Sequence, residues 1–285
     1  MFKLRYGYLI SGIITGSILI FSFFGSFPDG KLHIVFCDVG QGDAAYVRFP
    51  DGQDMVVDGG PNDNVLGCLG KYMPFWDRHI DLVMLSHPQK DHLQGLISVL
   101  ERFNVGYFVR SDVEATTEGY AKLMATVTAK KIPVKYMSRG EKINLGTSSL
   151  TFLWPSTDVL GASTTGDVND YSLVFALRYG TFDALFTGDA DQQVERYYVG
   201  DSLSDGQVEL LKVPHHGSKT GMSQTFLDWI KPRLAVISVG KNSYGHPSQE
   251  TIRLLRQKDS KILRTDQEGD VEVITDGKNW TVRLD

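Results

Sequence analysis

Five apolar, strand-like runs in this 285-residue chain lead into loops that carry histidine or aspartate, and no other feature limits the fold as strongly. Asp54 to Val57 runs into Asp58-Gly59-Gly60, Asp81 to Leu85 into Ser86-His87-Pro88-Gln89-Lys90-Asp91-His92, and Asp183 to Phe186 into Thr187-Gly188-Asp189. Val208 to Val213 runs into Pro214-His215-His216-Gly217-Ser218, and Leu234 to Val239 precedes Tyr244-Gly245-His246-Pro247. Strand ends of this kind gather their polar groups along one rim of a sheet. Five of the seven histidines lie in three of these loops. Imidazoles and carboxylates drawn from separate loops suit a cation of the zinc or manganese type, and a catalytic site leaves one coordination position free for water. The pattern predicts a metal-dependent hydrolase.

The rest of the chain supplies a scaffold for such a rim. Short apolar runs broken by Gly, Pro and Asp over residues 32–57 read as a meander of strands. Leu93, Leu96, Ile97 and Leu100 have helical spacing. Further helices are predicted near Tyr120 to Lys131, Asp191 to Val199 and Gln249 to Gln257. Strands are predicted at Val134 to Met137, Leu150 to Trp154, Leu173 to Tyr179, Val271 to Thr275 and Trp280 to Leu284. Two strand-rich halves with interspersed helices and no linker predict one sandwich with helices on its outer faces. No internal repeat or phosphate-binding glycine fingerprint is present, and Gly40-Gln41-Gly42 by its spacing is a tight turn.

The amino terminus differs in kind. Tyr6 to Phe27 carries no charge and has the length of a bilayer-crossing helix, about 20 residues. Lys3 and Arg5 precede it, which predicts an amino terminus in the cytoplasm and the bulk of the chain outside. A cleaved signal peptide is the alternative, in which case the domain is secreted. Residues 1–28 are thus expected to form a membrane anchor or signal segment, and residues 29–285 one hydrolase domain. Cys37 reads as a small core residue and Cys68 as part of a Gly-rich loop; geometry decides whether two cysteines pair.

The motifs together resemble the metallo-β-lactamase-like domain of the ComEC family of competence DNA-uptake proteins. Those motifs are Asp38-Val39-Gly40-Gln41-Gly42-Asp43-Ala44, Asp58-Gly59-Gly60, Ser86 to His92, Tyr171-Ser172-Leu173-Val174, Thr187-Gly188-Asp189, Lys212 to Ser218 and Tyr244 to Pro247, with Arg264-Thr265-Asp266 behind them. The resemblance covers nearly all of residues 31–285. It implies an α+β fold, a four-layer αββα sandwich, here preceded by one transmembrane helix and lacking the many helices of an uptake channel. It implies hydrolysis of a phosphodiester, in nucleic acid above all, or of a related ester.

Carried onto this chain, the superfamily's ligand loop falls on His87, Gln89, Asp91 and His92, with Gln89 where an acid or histidine is usual. A further ligand histidine is replaced by the stretch Asn169, Asp170, Tyr171. The resemblance therefore implies metal ligands drawn from His87, Asp91, His92, Asp189, His215 or His216, and His246. That set suffices for one firmly held divalent cation, zinc or manganese, with a weak or missing second. Asp58, Asp43, Gln89 and Asn169 are expected as supporting or weak positions. Asp91 and His92 are the expected catalytic groups.

The cation is expected to activate water and polarise a phosphoryl oxygen, while Lys219 or Lys241 meets the phosphate. A net charge of −5 argues against a strongly basic nucleic-acid binder. Between Lys212 and Arg264, however, ten basic residues face three acidic ones. Two other readings stay open: a hydrolase of another ester or amide, β-lactam-like substrates included, and a surface binding module whose metal site has decayed.

Overall fold

The computed structural model describes residues 6–24, 28–160, 167–201 and 207–285, with side chains of 18–24 outside the description. Fifteen strands form two sheets in this part of the chain. The first sheet contains β1 (Leu32–Phe36), β2 (Ala44–Arg48), β3 (Asp54–Gly59), β4 (His79–Leu85), β5 (Asn104–Arg110) and β6 (Val134–Tyr136). The second contains β7 (Lys142–Leu145), β8 (Ser148–Trp154), β9 (Val174–Tyr179), β10 (Phe182–Phe186), β11 (Leu210–Lys212), β12 (Leu234–Ile237) and β13 (Lys261–Arg264). The last two strands, β14 (Val271–Thr275) and β15 (Trp280–Leu284), return to the first sheet, whose order is β15-β14-β1-β2-β3-β4-β5-β6.

Alternating side chains decide how these layers stack. The inward-facing set, including Phe36, Val47, Phe152, Phe175 and Phe186, forms one apolar cluster between the sheets. Phe175 and Phe186 stack at 4.9 Å between ring centroids. The outward-facing set of the first sheet, Val35, Tyr46, Val56 and Val83 among others, packs under the helices Asn64–Tyr72, Lys90–Arg102 and Glu118–Ala129. A third cluster joins the second sheet to helices Gln224–Ile230 and Gln249–Arg256. Burial on both faces explains why these strands read as continuous apolar runs. The expected αββα sandwich is therefore the observed architecture.

Some local expectations are corrected. Cys68 lies in helix Asn64–Tyr72 instead of a loop, and it forms a disulfide with Cys37. Helix Asp191 to Val199 shortens to Gln192–Glu195 followed by turns. At the amino terminus the backbone of Tyr6–Phe24 is helical. Among the described residues, though, no helix is long and apolar enough to cross a membrane, so the predicted spanning helix is not established. Lys3 and Arg5, on which the orientation reading rests, lie outside the described residues.

Candidate metal centre

β3 pairs with β4 in parallel, and β10, β11 and β12 run parallel in the other sheet. Parallel strands deliver the loops after their carboxyl ends to one edge, where α/β folds place their sites. Asp58 is near the end of β3, His87 follows β4, and Asp91 and His92 occupy the first turn of helix Lys90–Arg102. From the other sheet, Asp189 follows β10 and the double-histidine turn follows β11.

The backbone at these positions is unusual. Asp58, His215 and His216 have φ of 58°, 48° and 51°, in the left-handed region that non-glycine residues avoid. Such conformations cost about 1–3 kcal/mol each and persist where surrounding structure dictates them. The glycine turn before Asp43 packs equally tightly. A Cβ at Gly42 would lie 2.3 Å from the Asp91 carbonyl oxygen, so only glycine lets this turn touch the ligand loop. Asp43 N–H donates to that same carbonyl at 3.1 Å.

Asp91, His92, Asp189 and His216 bring one donor atom each to within 4.8 Å of one another, an arrangement that can hold a metal ion. His216 Nε2 lies 3.3 Å from Asp91 Oδ2 and 3.3 Å from Asp189 Oδ2, and His92 Nε2 lies 3.4 Å from Asp189 Oδ1. A cation holding four donors at about 2.1 Å in a tetrahedron separates them by about 3.4 Å. The spacing fits. His92 Nε2, His216 Nε2 and Asp189 Oδ1 are all buried without a hydrogen-bond partner, a costly condition for polar atoms that a bound cation relieves.

Neighbours fix which nitrogen faces the centre. His216 Nδ1 donates to the Ser238 carbonyl at 2.9 Å, and a carbonyl can only accept, so Nε2 is left for the cation. His92 Nδ1 donates to Asp58 Oδ2 at 2.9 Å, and Asp58 also receives Ser86 N–H at 2.8 Å and Ser86 Oγ–H at 2.7 Å. Asp58 thus sits behind the His92 ring and holds it by Nδ1. Asp43 lies behind both rings, 3.2 Å from His216 Nδ1 and 3.8 Å from His92 Nδ1.

The charges follow from this crowding. Burial pushes both His92 and His216 toward neutrality, but Asp189 and their second carboxylate, Asp58 or Asp43, outweigh it and hold both pKa values well above the ordinary one. Burial likewise works to raise Asp91 and Asp189, while His216 and His92 pull both carboxyls well below the usual range. His87 differs. Burial, and then the positive neighbour His92, push it down to about 3, which leaves a neutral imidazole whose Nε2 has no partner.

The remaining predicted residues separate into two groups. His215 leaves the four-donor cluster: its Nδ1 meets Asp191 Oδ1 at 2.9 Å while Nε2 stays 3.8 Å from Asp189 Oδ2. With His246, Lys241, Gln89 and Asp91 it lines an open cleft of about 520 Å³. Lys219 is exposed and lies outside the lining of that cleft, whereas Lys241 is part of it. Asn169 is buried with an unpartnered Oδ1. Nearby, Ser172 Oγ receives the Asp189 N–H at 3.1 Å.

Lys212 is the group that sequence reasoning did not single out. It is 3% exposed, forms an ion pair with Asp43 Oδ2, donates to the Gly188 carbonyl at 3.1 Å and approaches Asp189 Oδ1 to 3.8 Å. Its signal was a lysine inside the apolar run Val208 to Val213, because a buried charge requires a partner. The Arg264-Thr265-Asp266 triplet also acquires a role. Thr265 Oγ accepts Val239 N–H and donates to the Val239 carbonyl, both at 2.9 Å, and so pins the strand end before the cleft loop.

Comparison with known proteins agrees with this construction. The chain is 24% identical over 282 residues to ComE operon protein 3 of Bacillus subtilis, covering 93% of the chain and 36% of that protein. It is 26% identical over 245 residues to Recombination protein 2 of Haemophilus influenzae, covering 83% of the chain and 28% of that protein. The chain thus spans about a third of the length of these curated relatives. Among solved structures, Igni18, a metallo hydrolase from Ignicoccus hospitalis, superposes with a TM-score of 0.56 at 14% identity, covering 85% of this chain and 98% of that one. YhfI, a metallo-beta-lactamase fold protein from Bacillus subtilis, gives 0.53 at 13% identity, covering 85% and 99%. At such identities these two likenesses show the fold alone. The pattern of the Metallo-beta-lactamase superfamily matches residues 37–241, and the chain belongs to that superfamily, whose fold implies a divalent metal at this rim.

Proposed function

We propose that this chain is a metal-dependent phosphodiesterase that acts on nucleic acid, with one cation held by Asp91, His92, Asp189 and His216. The observation that carries the reading is the convergence of unpartnered, buried donor atoms beside an open cleft that also presents Lys241. Two relatives, Competence protein ComA of Neisseria gonorrhoeae and Recombination protein 2, have names that point to DNA handling and so support this substrate class.

When bound, a divalent cation lowers the pKa of water from 15.7 to about 7 and polarises a phosphoryl oxygen. The residues of the chain supply the rest. Asp91 is the cluster carboxylate with the greatest exposure, 30% at the side chain. Its depressed pKa makes it a poor proton acceptor, since an efficient base titrates near the working pH. Asp91 therefore orients the nucleophile by accepting its hydrogen bond. His215 lies in the cleft outside the ligand set and is steered by Asp191; burial opposes its charge, but Asp191 and Asp189 raise its pKa. We assign it to protonate the leaving oxygen, and Lys241 to contact a phosphate oxygen.

Placement outside the cytoplasm is part of the same proposal. The Cys37–Cys68 disulfide favours an oxidising compartment. The uncharged stretch from Tyr6 to Phe27 supports a single amino-terminal anchor. A reporter fused after Asp285 should be open to external protease; protection would reverse the topology.

The function itself is tested by metal analysis after gentle purification, together with assays on single-stranded DNA and bis-p-nitrophenyl phosphate. We expect turnover that a chelator removes and a divalent ion restores. Absence of both metal and turnover would leave the binding-module reading in its place.

A further inference from the structure

Tyr244 is 74% exposed, yet the loop that carries it is tightly held. Asn242 Oδ1 accepts the N–H groups of Tyr244, Gly245 and His246 at 3.0–3.1 Å, and its Nδ2 donates to the carbonyls of Gly240 and His246 at 2.8 and 2.9 Å. Gly240 N–H in turn donates to Gln41 Oε1 at 3.2 Å, which ties the loop to the glycine turn of the other sheet. A single exposed aromatic is ordinary on a surface. One displayed on a braced loop at the lip of a candidate active-site cleft is preorganised to meet something flat.

Its surroundings say what. Tyr244, Lys241 and Lys90 line the same cleft as His215, His216 and His246. Aromatic rings form a path from the mouth to the metal centre: Tyr244 to His246 at 5.8 Å, His246 to His215 at 5.6 Å, and His215 to His216 at 6.2 Å. A flat ring beside two ammonium groups suits a polymer that alternates aromatic bases with phosphates. Within a duplex, the faces of the bases are already stacked on one another.

We propose that Tyr244 is a stacking platform for an unpaired nucleobase, with Lys241 and Lys90 contacting adjacent phosphates, so that the preferred ligand is single-stranded nucleic acid. This rests on the phosphodiesterase reading above and adds to it the strandedness of the substrate. Tyr244 sets specificity and takes no part in bond breaking.

The test uses the full chain and fluorescence anisotropy at low temperature, before turnover accumulates. Probes are a short oligothymidylate, an abasic strand of equal length, and a duplex. Wild type should bind the oligothymidylate more tightly than either of the other two. Tyr244→Ala should weaken oligothymidylate binding about 5- to 150-fold, the range for losing one base–aromatic stack, and move the abasic affinity little. Tyr244→Phe should retain the preference. Thermal melting of the variants, with the side chain so exposed, should match wild type. Equal loss on both strands, or no loss, overturns the stacking role while nucleic-acid binding stands. Binding of none of the probes, with bis-p-nitrophenyl phosphate still cleaved, overturns the stacking role and the nucleic-acid substrate together and leaves the hydrolase. No binding and no cleavage would remove the phosphodiesterase reading as well.

Discussion

The Asp58 carboxylate holds His92 by its Nδ1–H at 2.9 Å, and so turns Nε2 of that ring toward Asp189 at 3.4 Å. The pair is buried, with side-chain exposures of 2% and 0%. Burial raises the Asp58 carboxyl above its ordinary value, helped by the neighbouring Asp43, and the pull of His92 and Ser86 offsets this only in part. Orienting partners of this kind govern metal affinity although they touch no metal. Asp58→Asn should lower divalent metal affinity about 10- to 100-fold while the fold is kept. Competition with a chromophoric chelator measures this, and unchanged affinity would make Asp58 a turn residue only.

The two adjacent histidines should fail differently. His216 belongs to the four-donor cluster, whereas His215 pairs with Asp191 in the cleft. His216→Gln should strip the metal. His215→Gln should keep it and lower kcat about 10²- to 10⁴-fold, the usual contribution of a proton donor. Metal content and kcat measured on both variants separate the roles, and equal metal loss in the two would merge them.

Metal uptake should release protons. In the metal-free chain burial is overcome by Asp189, with Asp58 or Asp43, and the pKa values of His92 and His216 are raised above their unfolded value of 6.5, which favours the protonated rings. A cation must displace those protons, and its affinity should rise with pH. The same shifts fix the sign for stability. Their contribution is complete below pH 6.5 and declines as pH rises through the raised folded values. His87, lowered to about 3, acts in the opposite sense between about pH 3 and 6.5, where stability gains as pH rises. Denaturation of metal-free protein from pH 6.5 upward should therefore show falling stability, and added metal should reduce the fall. A flat metal-free profile would mean that the two rings are neutral.

Removing the Cys37–Cys68 bridge opens a loop between residues 31 positions apart. Cys68→Ser should cost about 3–4 kcal/mol by the chain-entropy relation for a loop of this size. Urea denaturation with and without a reductant measures it. An unchanged midpoint would show the cysteines unpaired in solution.

Much of the layout was legible because both sheets are buried on two faces, which makes their strands apolar, and because the chain places ligands after parallel strands. What escaped had no local signature. Helix Asn64–Tyr72 contains Gly67 and Gly70, each a poor helix former, and is stabilised by packing Val65 and Leu69 into the core. β5 (Asn104–Arg110) opens with Asn-Val-Gly and gains its order from parallel pairing with β4 and β6. At the site, residues at strand ends were readable, and the split between His215 and His216 was not. That split is set by a backbone carbonyl, Ser238, and by Asp191, both brought in by tertiary packing. The Lys212–Asp43 pair joins residues from opposite sheets, and only the closed sandwich brings them together.

Gln89 gives the same account a further test. It lines the cleft near His87, whose Nε2 is unpartnered, and offers only an amide. Gln89→His should add partial occupancy of a second ion, read by elemental analysis under metal excess. Unchanged stoichiometry would show that the position does not face a second site.

The most direct measurement is the metal stoichiometry of wild type and His216→Gln, titrated with zinc or manganese from the metal-free state. Convergence of Asp91, His92, Asp189 and His216 on one cation predicts a single tight equivalent in wild type and its loss in the variant. A wild type that binds no ion tightly, or a variant that binds as wild type does, would contradict it.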